Sequence, residues 1–172
     1  MILSMTSLTK YIELHQIVDV FLPRLQFVEQ SEKHHPEGNV LNHTLQVVRH
    51  AFRESQSFEL ILAALFHDIG KVKDKLLHHE IGADWLCGLC SDKTIWLVRN
   101  HMRIHKYLNG ETKKLSKCSK LVNHPWFKDL VMLSRWDAMG RDVGKRVVYD
   151  SDQICQRLVS LTLKESQTND AN

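Results

Sequence analysis

Residues 63–71 read AALFHDIGK, an apolar helical run that ends on the adjacent pair His67 and Asp68. Ser57 is a natural N-cap for this helix, which should run over 58–66. Gly70 stops it, as a residue free to take positive φ would. The pair therefore sits at a helix C-terminus. An imidazole beside a carboxylate at such a point gives one metal ion two ligands from one rigid place, and similar ligands lie upstream and downstream.

Reading outward, Ile12, Leu14, Ile17, Val18, Phe21 and Leu22 recur at three- and four-residue steps, so 8–22 is a helix that Pro23 interrupts. Residues 29–38 carry charges, Pro36 and Gly38, and form a loop leading to Asn39, the N-cap of a helix over 40–52. Further helices are predicted over 79–89 and, capped by Ser91, over 94–103. Asn109-Gly110 marks a turn, and the Lys-rich 113–122 is weakly helical. Pro125 starts a helix that Gly140 ends after Met139, and 149–163 is the last helix, with Ser151 or Asp152 near its cap. No window alternates with period two. The expected class is all-α, a compact orthogonal helical bundle of about seven or eight helices, with 1–165 as one domain and 166–172 as a frayed tail.

The chain has 172 residues and is 43% hydrophobic, enough for one domain with its own core. Seven Gly, three Pro and the lack of any repeated segment exclude disordered, collagen-like and solenoid architectures. A formal charge of +3 favours phosphate-bearing ligands but does not establish nucleic-acid binding. The beginning MILSMTSLTKYIEL has neither a basic leader nor a long apolar core, and no stretch approaches the roughly 18 apolar residues of a membrane span, so a soluble cytoplasmic protein is expected. Four cysteines are too few for a disulfide scaffold, and all read as reduced thiols, Cys87 and Cys90 as helical packing rather than a zinc or redox site. Trp85, Trp96, Trp126 and Trp136 fall on apolar helical patterns and are expected in the core.

Eleven histidines are the better clue, because His is the commonest metal ligand and acid-base group. A first-row metal needs imidazoles and carboxylates converging from different elements. His43, the pair His67 and Asp68, and Asp137 supply four such groups from three helices. His15, His34, His50 and His124 read as surface or hydrogen-bonded core residues, and so in the first place does His35, which precedes the proline of HPEG and has approach to a substrate as its alternative.

With HxxxVV at His43, LFHDIGK at His67-Asp68 and RWDAMGR at Asp137, the chain resembles the HD superfamily of metal-dependent phosphohydrolases. More narrowly, HPEGNVLNHTLQVV, HHEIGADW, LVRNHM and DAMGR are similar to the HD domain carried by some bacterial CCA-adding tRNA nucleotidyltransferases, over roughly 36–141. A chain of this length has no room for the nucleotidyltransferase head, so tRNA end synthesis is not expected. The resemblance implies an HD-type bundle in which His43, His67, Asp68 and Asp137 are metal ligands. His79 and His101 match positions used for a second metal or for substrate phosphate, with His105, one turn beyond His101, as a weaker substitute.

The same resemblance implies one or two divalent ions, Mn²⁺, Mg²⁺, Fe²⁺, Co²⁺ or Ni²⁺, that neutralise a phosphate oxygen and activate a water for in-line attack. Asp68 would serve as ligand and proton acceptor, His79 or His101 as proton donor to the leaving oxygen. Lys71 and Arg141 could donate to the phosphate or sit on a solvated face. Expected substrates are 2′,3′-cyclic phosphates and 2′-phosphates of nucleotides or RNA ends. Lys113, Lys114, Lys117 and Lys120 form either an RNA-facing strip or a solvated helix side. Two other functions remain open: a 5′-nucleotidase or related nucleotide phosphohydrolase, and a non-catalytic HD regulatory or binding module. HD domains are often oligomeric, so a homo-oligomer is also compatible.

Overall fold

The computed structural model describes residues 5–31, 36–108, 110 and 115–169. It contains α1 (Met5–Phe21), α2 (Val40–Glu54), α3 (Phe58–Phe66), α4 (His78–Trp85), α5 (Asp92–Leu108), α6 (Leu115–Val122), α7 (Phe127–Met139) and α8 (Ser151–Asn169), with 3₁₀ turns at Pro23–Phe27 and Ile69–Val72. Among the described residues there is no strand, only an isolated antiparallel bridge between Glu29 and Asn39. None of the described helices is long and apolar enough to cross a membrane.

α3 is the middle of the bundle. Every side chain from Leu60 to Phe66 is buried, and a helix that is apolar all round can satisfy its surface only by being surrounded. α2, α5, α7 and α8 surround it. Leu60, Leu65 and Phe66 are almost entirely shielded from solvent, each worth about 1.5–3 kcal/mol of transfer free energy. Leu45, Val47 and Val48 of α2, Leu97 and Val98 of α5, Leu130, Leu133 and Trp136 of α7, and Leu158 of α8 complete the core.

The helix starts follow local chemistry. Asn39 Oδ1 accepts from the Asn42 amide at 2.9 Å, and Ser57 Oγ accepts from Leu60 N at 3.4 Å, so both expected N-caps are in place. The last helix differs. Its cap is Asp150, whose Oδ1 accepts from Gln153 N at 2.9 Å, not Ser151 or Asp152. Asp152 is drawn to α1 instead, where Tyr11 Oη donates to it at 2.7 Å and His15 Nε2 lies at 2.8 Å. α8 also continues past 163 to Asn169, so residues 166–169 extend the helix rather than fray from it.

The expected helix over 79–89 is shorter, ending at Trp85. Gly88 takes φ +78, a left-handed turn that a helix cannot continue through. Trp136 is fully buried and donates from Nε1 to Glu54 at 2.9 Å. The other three tryptophans are only half-buried: Trp85 stacks on Phe21, and Trp96 lies flat against His124 at 3.9 Å with Trp126 edge-on to it. Cys155 is buried, Cys90 half-buried and Cys87 exposed, with Cys87 Sγ on the Ala83 carbonyl at 3.5 Å as helical packing requires.

Candidate metal centre

The site forms where the central helix runs out. His67 is the C-cap of α3, and Asp68 leaves the helix at φ −107, ψ 4 before the 3₁₀ turn at Ile69–Val72. Exposed carbonyls at a helix C-terminus favour positive charge there. Gly70 is required, but not for positive φ, which it does not adopt. A Cβ at this position would collide with the His78 carbonyl oxygen and come within 2.9 Å of Gly82 N. The missing side chain lets the turn lie directly against α4, and that contact carries His78 to Asp68.

Four imidazoles and two carboxylates converge. His43 Nε2 lies 3.0 Å from Asp137 Oδ1, 3.4 Å from His67 Nε2 and 3.7 Å from Asp68 Oδ2, while His67 Nε2 is 3.4 Å from the same Asp68 oxygen. On the opposite side of Asp68, Oδ1 is 3.2 Å from His78 Nε2 and 3.9 Å from His101 Nε2, and those two nitrogens are 3.0 Å apart. The structure thus contains two groups with metal-binding spacing, His43 with His67 and Asp68, and Asp68 with His78 and His101. Asp68 belongs to both, one oxygen facing each.

The outer nitrogens decide what the inner ones can do. Nδ1 of His67, His78 and His101 meets the carbonyls of Ala64 at 2.9 Å, Lys75 at 2.8 Å and Val98 at 2.6 Å, and Nδ1 of His43 meets the carbonyl of Gly140 at 3.0 Å. A carbonyl only accepts, so each Nδ1 carries a proton; His43 also donates from Nε2 to Asp137, whereas in the neutral rings of His67, His78 and His101 Nε2 turns a lone pair to the cluster. The Nε2 lone pairs of His78 and His101, 3.0 Å apart, have no proton to share. They suit a cation placed among them, which is the test of whether these residues fit a divalent metal, and they pass it.

The charges agree. Burial works against ionisation of both carboxylates, yet His67 and Lys71 hold Asp68 well below the ordinary range, and hydrogen bonds from His105 and His43 do the same for Asp137. Burial likewise works against a charged His43, but Asp137 and Glu37 raise it to about 9. His101 goes the other way, its burial and the neighbouring His67 and His78 keeping it neutral. A pocket with carboxylates ionised in its wall and one imidazole inclined to hold a proton is built for positive charge.

The structure brings His43, His67, Asp68, Asp137 and His101 together. His79 belongs to neither metal-binding group: α4 turns His78 to the cluster, while the His79 ring lies edge-on to His101 with centroids 6.2 Å apart and Nε2 3.9 Å from Glu80. Two adjacent histidines on a helix diverge by about 100°, so HHE allowed one ligand without saying which. His101, expected for a second metal or substrate phosphate or as a proton donor, has its Nδ1–H committed to Val98 and turns Nε2 to Asp68 and His78. His105 is better placed than its reading as a substitute implied, with Nε2 on Asp137 Oδ2 at 2.8 Å and a quarter of its side chain exposed. Lys71 Nζ reaches Asp68 Oδ2 at 2.7 Å and Gln30 Oε1 at 2.9 Å, and Arg141 lies 3.7 Å from Asp137 Oδ1.

The cluster lines a cavity of about 520 Å³ whose wall includes Gln30, Lys71, Lys75, His105, Met102 and Arg141. Gln30 and Lys75 went unnoticed in the sequence because they come from the segment before α2 and the turn before α4, which the fold joins through Lys75 Nζ on the Glu29 carbonyl at 2.7 Å. Of the expected basic strip, Lys120 is exposed, whereas Lys113, Lys114 and the side chain of Lys117 lie outside the described residues, as do His34 and His35. Cys87 and Cys90 belong to neither metal-binding group.

A family model described as HD domain matches residues 40–155, the stretch that supplies every ligand above. A multifunctional CCA protein of Herminiimonas arsenicoxydans is 44% identical over 140 residues, covering 70% of this chain and 34% of that protein. Others of the same name, from Methylobacillus flagellatus (28% over 142 residues, 70% of this chain and 34% of that protein) and Halorhodospira halophila (32% over 97 residues, 47% and 23%), are also similar. The chain spans about a third or less of the length of these relatives. With the His67-Asp68 pair at the end of a buried central helix and its partner ligands on α2, α4, α5 and α7, the chain belongs to the HD domain family.

Proposed function

We propose that the protein is a metal-dependent phosphohydrolase acting on phosphate esters of nucleotides or RNA ends, with 2′,3′-cyclic phosphodiesters and 2′-phosphates favoured. The observation that carries this reading is the pairing of two ligand groups, joined through Asp68, with a cavity of nucleotide size whose rim holds Lys71, Lys75 and Arg141. The similarity to proteins named multifunctional CCA proteins supports RNA ends as the substrate class.

His43, His67, Asp68 and Asp137 would hold one ion, and Asp68, His78 and His101 a second. A divalent ion there supplies Lewis-acid neutralisation of a phosphate oxygen and a lowered pKa for a bound water. The chain's own groups do the rest. Lys71 beside Asp68 and Arg141 beside Asp137 line the same cavity and would hold the phosphate as charge-assisted donors. Asp68 and Asp137, both kept ionised, accept protons from an attacking water. His105, a quarter exposed at the cavity and 2.8 Å from Asp137 Oδ2, would deliver a proton to the leaving oxygen.

The substrate is tested by phosphate release from 2′,3′-cyclic, 2′-, 3′- and 5′-nucleotides with each divalent ion in turn. Preference for the 2′-linked compounds supports the reading; activity confined to 5′-monophosphates replaces it with a 5′-nucleotidase, and binding without turnover replaces it with a regulatory module. The assignment of α4 has its own prediction. His78→Ala lowers kcat by about 10²-fold or more, while His79→Ala stays near wild type, measured on the best substrate of that panel. The reverse order would return His79 to the site.

A further inference from the structure

Glu37 stands behind the ligand set. It is the acidic residue of HPEG, in the turn just before α2, and its side chain is completely buried with Oε1 3.0 Å from His43 Nδ1. The opposite nitrogen of the same ring faces Asp137 at 3.0 Å and Asp68 at 3.7 Å. Carboxylate, imidazole and inner cluster are therefore arranged in series. Nδ1 of His67, His78 and His101 meets the backbone carbonyls of Ala64, Lys75 and Val98, whereas Nδ1 of His43 meets the Glu37 carboxylate in addition to the Gly140 carbonyl, each at 3.0 Å. A carbonyl orients a ring. A carboxylate orients it and also lends it negative charge, which strengthens the donor at the far nitrogen.

The two ligand groups are consequently unequal. The His43 side has Asp137 within reach and Glu37 behind it, in addition to one oxygen of Asp68. The His78 and His101 side has the other oxygen of Asp68 and two rings oriented by neutral groups. Burying a carboxylate such as Glu37 is expensive unless positive charge lies near, and the nearest place for it is across the His43 ring. Lys71 also touches Asp68 Oδ2 on the His43 side, but it shares Gln30 as a second partner and has a flexible stem to retreat along.

We infer that Glu37 is a positioning residue of the metal centre, and that through His43 it makes the group of His43, His67, Asp68 and Asp137 the tighter of two ion sites, filled before that of Asp68, His78 and His101. This rests on the metal-centre reading above. It also gives HPEG, which the sequence offered only as a family flank, a physical task.

The test is calorimetric titration of the chelator-stripped full chain with MnCl₂, together with its melting temperature before ion is added. Wild type takes up the ion in two steps. Glu37→Gln keeps the length of the side chain and an oxygen for the His43 N–H but removes the charge, so the tighter step weakens by about 10- to 100-fold. The weaker step and the melting temperature of the stripped protein stay as in wild type, which a merely structural role for Glu37 would not give. His101→Ala does the converse, losing the weaker step alone. Should Glu37→Gln lose its helical circular dichroism, Glu37→Asp carries the test: it keeps the charge but withdraws it by one methylene, and an undiminished tighter step overturns the inference. An unchanged tighter step in a folded Glu37→Gln, or equal weakening of both steps, also overturns it while leaving the metal centre standing. A wild-type chain that takes up no ion overturns both.

Discussion

Replacing Asp68 with Asn or Ala is expected to lower kcat/KM for phosphate release by about 10⁴-fold or more, the scale at which active sites fail when a group acting as one unit is broken. No other side chain in the cluster belongs to both ligand groups. Oδ2 faces His43 and His67, and Oδ1 faces His78 and His101. Asn keeps the shape of the side chain and one oxygen, but it removes the charge and turns one of the two faces into an N–H₂ donor. That donor would take up the Nε2 lone pairs that a cation needs. Loss of the His78 face leaves two imidazoles and no carboxylate there, and loss of the His43 face leaves Asp137 as its one carboxylate. A kinetic assay with saturating Mn²⁺ checks this, and an Asp68→Asn enzyme within tenfold of wild type would remove Asp68 from the chemistry.

Gly70→Ala carries the second large effect. The new methyl group has no flexible neighbour to displace, because what it meets is the His78 carbonyl and the Gly82 amide, both backbone of α4. Relief requires the 3₁₀ turn and α4 to separate. Overpacking of this kind costs about 3 kcal/mol, the upper end of its usual range. For a chain of this size that is a fall in melting temperature of roughly 6–12 °C. The separation also draws His78 from Asp68, so activity falls more than stability alone explains. Gly82 offers a contrast: a Cβ there would meet Ile69 Cγ1 at 3.3 Å and Gly70 N at 3.4 Å, contacts that a shift of a few tenths of an ångström relieves. Thermal melts of Gly70→Ala and Gly82→Ala, compared side by side, should show the first as much the more damaging.

What the sequence made legible is what repeats locally. Asn39 and Ser57 announced two helix starts because a side-chain oxygen three residues before an amide is a short-range arrangement. The candidate ligands His43, His67, Asp68 and Asp137 stood out through their flanking motifs; the structure sets the first three within reach of one another, with Asp137 3.0 Å from His43. The misreadings were questions of direction or of distant contact. HHE could not say whether His78 or His79 faces inward, since that depends on where α4 begins and on its approach to Gly70. Gly70 was read as a residue of unusual φ, when its role is close packing against a helix that starts eight residues later. Asp152 looked like a cap and proved to be the anchor of α1, more than a hundred residues away in sequence. Glu37 gave no signal of chemistry because only the fold turns its carboxylate to the back of the His43 ring.

The central claim is that the buried histidine and aspartate cluster is a metal centre. The measurement that tests it most directly is the metal content of the full chain after chelator treatment, equilibration with Mn²⁺ and removal of free ion, determined for wild type and for Asp68→Asn in parallel. The account predicts one to two Mn²⁺ per wild-type chain and close to none for the variant. Wild-type protein that retains no ion, or an Asp68→Asn protein that retains as much as wild type, would contradict it.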